Sequence, residues 1–147
     1  MSAEQMTHAI LELPWTTPPL TLNDSGQTRG ARLARSRRIR EIRSDVVVLA
    51  TKARLPKGVR YATITLHYRP ALNRRRDSVN LSPTLKAVVD GLTPQKIVKT
   101  KAGYNVHAGY GLVNDDSTRE VSTPEPIIHE TEPGKPGALW LEITWED

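Results

Sequence analysis

The chain is predicted to fold as an α+β domain, a mixed sheet of about four strands with helices packed on it. Two separated segments alternate apolar and polar residues with the period of a half-buried strand. A long stretch ahead of the second strand instead repeats its apolar residues at steps of three and four, the period of a helix. Proline and glycine clusters keep the segments short. With 147 residues and 37% hydrophobic content, residues 1–147 form a single domain large enough for its own core.

The segment 8–13 reads as the first strand, closed by Pro14 and Pro18-Pro19. A helix of about six turns follows over 30–53, with Ile39, Ile42, Val46 and Leu49 as its apolar stripe. Arg29, Arg32, Arg35, Arg37, Arg38, Arg40 and Arg43 crowd its first half, more cation than one solvated face requires. The run Val46-Val47-Val48-Leu49 exceeds one stripe and suggests a self-association surface. In the second strand Ala62, Ile64, Leu66 and Tyr68 share one face, and Tyr61, Thr63, Thr65 and His67 the other. A second helix fits 83–92, with Pro83 in its first turn and Gly91 near its C-terminal end. Residues 94–110 carry no periodicity, only glycines interleaved with Lys96, Lys99, Lys101, Tyr104 and Tyr110. They read as a flexible surface loop or as a flap over DNA. A further strand over 119–130 is confined to an edge or interrupted by Pro124 and Pro126. Turn chemistry at 133–137 leads to the last strand, where Leu139, Leu141, Ile143 and Trp145 alternate with polar and aromatic neighbours.

Composition narrows function. Lys+Arg 21 against Asp+Glu 16 gives a formal charge of +5, which favours an anionic partner. Zero cysteines exclude disulfides, thiolate zinc sites and cysteine nucleophiles. His8, His67, His107 and His129 have no ligand spacing, and His67 is expected to face outward from its strand. Neither a nucleophile elbow nor a phosphate-cradling P-loop occurs. The apolar runs are too short to span a membrane, and a cytoplasmic location is expected.

The chemistry-bearing residues lie between Arg74 and Ser117. Arg74-Arg75-Arg76 runs directly into Asp77, and Asn114-Asp115-Asp116-Ser117 follows within 40 residues. Separately, these are a solvated loop and a turn. Together, carboxylates among arginines suit phosphodiester hydrolysis: hard oxygens take a divalent cation while the protein's cations hold the polyanion. Lys86 and Asp90 are four residues apart, so on a helix both project from one face, as a surface ion pair or as a phosphate contact beside a metal ligand.

The series Arg-Arg-Arg-Asp-x-x-Asn-Leu, Leu-Lys-Ala-x-x-Asp-Gly-Leu and Gly-x-x-x-Asp-Asp-Ser, in that order, resembles the RusA family of Holliday junction resolvases. The likeness spans most of the chain, including Leu13-Pro14-Trp15 and the closing strand. It implies a RusA-like fold and a homodimeric endonuclease of phage or prophage type that cuts four-way DNA junctions in recombination and repair. The implied cofactor is magnesium, with manganese as a substitute. It further implies Asp77 and Asp116, backed by Asp115, as metal carboxylates, with Lys86 and Arg76 as catalytic cations. Arg37, Arg38, Arg74, Arg75 and Asn80 are the expected DNA contacts. Two departures matter. Val79 stands where the family pattern has a second carboxylate, which brings Asp90 in as a compensating ligand, and the connection between Leu92 and Gly111 is much longer than in compact members. If Val79 leaves the metal site incomplete, the alternative is a non-catalytic protein that binds branched DNA; an RNA-binding module is a third reading.

Overall fold

The computed structural model describes residues 7–22, 28–72 and 78–147. The predicted α+β class holds. Among the described residues, β1 (Thr7–Glu12), β2 (Tyr61–Arg69), β5 (Val121–Ser122), β6 (Ile127–Ile128) and β7 (Ala138–Glu146) form one mixed sheet, joined by α1 (Arg29–Lys52) and α2 (Ser82–Leu92). The sheet thus has five strands where about four were expected. β7 lies between β1 and β2 and is antiparallel to both, so β1 and β2 run parallel and need the crossover that α1 supplies. β5 and β6 pair in parallel with the other edge of β2. They are two short strands where one was expected over 119–130, because Pro124 and Pro126 cannot donate to a ladder.

The alternation in β2 and β7 sorts residues by burial. Ala62, Ile64 and Leu66, with Leu139, Leu141 and Ile143, are fully buried against Ile42, Val46 and Ala50 of α1 and Ala87, Val88 and Leu92 of α2. Each large aliphatic side chain buried in this way contributes about 1.5–3 kcal/mol. Thr28 caps α1, its side chain accepting from the backbone N–H of Ala31 at 3.1 Å. The apolar run on α1 is consumed by the core: Val46 is fully buried, Val47 and Leu49 pack against the core, and Val48 alone of the four is exposed.

Gly91 lies near the C-terminal end of α2, as expected. It is buried inside α2, where a Cβ would stand 2.9 Å from Val46 Cβ and 3.1 Å from the Arg43 carbonyl oxygen. The residue is glycine because the two helix backbones approach closely there. Gly91→Ala is therefore expected to destabilise the fold by about 1–3 kcal/mol through overpacking, outweighing a helix-propensity gain of about 1 kcal/mol. Urea denaturation measures it, and an unchanged or raised midpoint would contradict the close crossing.

Residues 94–110 are not a loop. They form a hairpin, β3 (Pro94–Thr100) and β4 (Gly103–Tyr110), paired as a separate two-stranded sheet. Both faces of its outer half meet solvent, so apolar and polar residues need not alternate and no period-two signal arises. Its root is fixed. Gly109 leaves no room for a Cβ beside the Thr93 carbonyl, and the Tyr110 hydroxyl donates to the Leu55 carbonyl. Leu112 N–H donates to the Leu92 carbonyl at 2.8 Å, so the chain rejoins the end of α2 where the hairpin left it.

Candidate functional site

Arg74, Arg75, Arg76 and Asp77 lie outside the described residues. Asn80 is half-buried on the 3-10 helix Ser78–Leu81, which runs directly into α2; Val79 belongs to the same turn. Lys86 and Asp90 share a face of α2 as their spacing predicts, with Lys86 Nζ 3.6 Å from Asp90 Oδ2. The Lys86 side chain is 79% exposed and that of Asp90 22%, so the lysine is free to reach a ligand while the carboxylate sits at the base of the surface. Asp115 and Asp116 lie on the loop that starts where α2 ends, since Gly111 and Leu112 both donate to the Leu92 carbonyl. That hydrogen-bonded return brings carboxylates distant in sequence to the C-terminal end of the helix carrying Asp90. The loop is further held by Asn114 N–H donating to Glu120 Oε1 at 3.1 Å and by Asp116 N–H donating to Asp115 Oδ1 at 2.8 Å. Asp115 thus helps set the turn that presents Asp116.

Sequence reasoning missed the residue that meets Asp116. Lys96, on β3, places its Nζ 2.8 Å from Asp116 Oδ2. The ammonium holds the Asp116 carboxyl below its ordinary range, and Asp116 in turn raises the lysine. The charge of Asp90 acts on Lys96 in the same direction, opposed by Arg43. Lys96 thus neutralises one of the carboxylates that the sequence proposes as metal ligands. No sequence signal could have located it, because the hairpin that delivers it has no periodicity.

Among the described residues no group of three or more His, Cys, Asp or Glu is arranged to hold a metal ion. Magnesium needs less: one or two carboxylates, with water and phosphate oxygens completing its shell. Asp90, Asp115 and Asp116 carry hard carboxylate oxygens, the donor chemistry that magnesium or manganese takes, with Asp77 as the further ligand the sequence proposes.

The arginines of α1 divide. Arg43 is buried and donates through Nε to the Ala108 carbonyl at 2.8 Å and through Nη2 to the His107 carbonyl at 3.4 Å, tying α1 to β4. Arg37 is exposed, and Arg38 makes an accessible pair with Glu41 at 3.3 Å. Exposed pairs of this kind are worth less than about 1 kcal/mol, so a phosphate could take Arg38 from Glu41 at little cost.

A second cluster lies on the sheet face away from the helices, the face toward which His67 was expected to point. His67 is buried in a cluster of three rings, its centroid 5.1 Å from that of His129 and 5.3 Å from that of Trp140, with His129 and Trp140 5.0 Å from each other. His67 Nε2 lies 3.1 Å from Glu142 Oε1, and its Nδ1 2.8 Å from His129 Nε2; His8 Nε2 approaches Glu142 Oε2 at 3.4 Å. An ionised carboxylate only accepts, so His67 donates to Glu142 through Nε2, while its Nδ1 shares one proton with His129 Nε2. Burial, then the nearby His67 and Arg69, push the His129 pKa below its usual 6.5, and the bond from His67 holds Glu142 below its usual 4.5. The folded protein thus prefers neutral His129 and ionised Glu142. The contribution of these two groups to stability is full above pH 6.5, that of His129 falls as the unfolded chain takes up the histidine proton below that value, and that of Glu142 falls below pH 4.5 as the carboxyl protonates. His129→Gln is expected to flatten the first step. Denaturation midpoints between neutral and mildly acid pH check this, and an identical slope in parent and variant would refute it.

No family model matches the chain, and no curated protein matches it significantly.

Proposed function

We propose that this chain is a magnesium-dependent endodeoxyribonuclease that resolves four-way DNA junctions, working as a homodimer. The observation that carries the reading is the Lys96–Asp116 ion pair, formed by two segments that both leave the C-terminal end of α2, the helix that also carries the Lys86–Asp90 pair, in a chain of formal charge +5 whose motif order resembles the RusA resolvases. Bound there, the metal would supply an activated water and charge neutralisation at the scissile phosphate. The chain's own part is positional. Asp116 and Asp90 hold the cation, the exposed Lys86 reaches a phosphate oxygen, and Arg37 and Arg38 fix the duplex backbone without reading sequence. Two such sites related by a two-fold axis suit paired nicks across a four-way junction.

The test is cleavage of a synthetic four-way junction. Paired nicks that require magnesium or manganese, and no cutting of linear duplex at the same concentration, are expected. Tight junction binding without cutting in either metal would favour a non-catalytic branched-DNA protein, the reading that Val79 motivates. Equal competition by RNA would overturn both.

A further inference from the structure

The root of the β3–β4 hairpin is tied into the fold, with Leu112 N–H donating to the Leu92 carbonyl where the chain returns and Tyr110 buried in the core. Its outer half has a definite structure and an unusual surface. The register pairs Ile97 with Val106 and Lys99 with Tyr104, and cross-strand partners share a face. Ile97, Tyr104 and Val106 are 62%, 69% and 57% exposed, so one face of the arm carries a contiguous apolar and aromatic strip in solvent. Lys99 and Lys101 border this strip at the tip, and 94–110 contains three lysines and no acidic residue. On the opposite face Lys96 reaches Asp116, and at the root Arg43 anchors the arm to the arginine-rich helix α1.

We propose that this arm engages the branch point of junction DNA, the apolar strip meeting unstacked bases while Lys99 and Lys101 hold the flanking phosphates; the inference rests on the junction-cutting reading above. Charge selects the occupant. A polyanion suits a cationic arm anchored on the arginine-rich helix α1, whereas a second copy would have to bring one set of these lysines against another. An apolar and aromatic strip is wasted on intact duplex, whose outside is phosphate and sugar. It is suited to a point where base faces are exposed, as at a branch or single-stranded segment. Because Lys96 sits on the same arm, its engagement is positioned beside the candidate catalytic carboxylate.

The experiment uses the full chain, a four-way junction carrying 2-aminopurine at the branch, and a linear duplex of equal length, in calcium to suppress cutting. The triple substitution Ile97→Ser, Tyr104→Ser, Val106→Ser is expected to weaken junction binding by about 10-fold or more, the scale of one lost base–aromatic stack, and to abolish the 2-aminopurine signal. Duplex binding should stay within about 2-fold, since phosphate contacts supply it. Tyr104→Trp should retain the signal. The altered side chains are exposed and the root is untouched, so an unchanged thermal midpoint is expected. A folded triple variant that keeps the junction preference and the signal overturns the proposal but not the nuclease reading. A triple variant that sediments as monomer where the parent is a dimer also overturns it, assigning the strip to a second copy. A parent that prefers no junction removes the functional reading together with the proposal.

Discussion

Asp116→Asn is expected to abolish metal-dependent cutting of the junction while binding survives or tightens, and Asp77→Asn to behave likewise. Losing one electrostatic stabiliser of a charged transition state costs on the order of 10²–10³ in rate, and a carboxylate that holds the cation itself should cost at least that much. The effect on the fold is small. The bond from Lys96 to Asp116 joins side chains 53% and 38% exposed, and solvent-screened pairs contribute less than about 1 kcal/mol. Binding should not suffer, because the substitution removes negative charge facing the phosphates and releases Lys96 to contact them. Single-turnover cleavage, junction affinity and thermal midpoint, measured on the same samples, separate these effects. If both variants cut at the parental rate in magnesium, the carboxylates have been misassigned.

Which parts of this protein were legible in its sequence follows from which periodicities burial imposes. β2 and β7 each bury one face, so Ala62, Ile64 and Leu66 and Leu139, Leu141 and Ile143 alternate visibly. α1 buries a narrow stripe, so Ile42 and Val46 stand out among arginines. The Lys86–Asp90 pair was legible because four residues on a helix make neighbours. The hairpin was not, since neither face of its outer half is buried. Lys96 beside Asp116, and His67 beside His129, are products of tertiary placement. The first depends on the bonds that return the chain to Leu92, the second on the parallel pairing of His67 with Ile127 and Tyr68 with Ile128. No spacing rule connects residues whose neighbourhood is set by a separate crossover. The close approach at Gly91 was not legible either, because only the crossing with Val46 identifies that glycine as a helix contact.

Asp90→Asn is expected to eliminate cutting, and Val79→Asp introduced beside it to restore a substantial part. Val79 offers no metal ligand on the turn that leads into α2, whereas Asp90 lies on the same helix as Lys86 and its charge acts on Lys96 together with that of Asp116. Helix stability does not account for an acid at Asp90. A carboxylate in the last turn faces the negative end of the helix dipole, an interaction unfavourable by about 0.3–1 kcal/mol. Its pair with Lys86 is solvent-exposed on the lysine side and offsets little of that. Asparagine at this position should therefore leave the fold as stable as before, and the loss of cutting would report the chemistry of the site. Val79→Asp in the double variant returns one carboxylate to the ligand set, which is why recovery rather than further loss is expected. Manganese binding followed by electron paramagnetic resonance gives a second readout: weakened in Asp90→Asn and regained in the double variant. The opposite pattern, with Val79→Asp alone raising cleavage many-fold and Asp90→Asn cutting and binding manganese like the parent, would mean that the site lacks a ligand at Val79 and that Asp90 does not replace it.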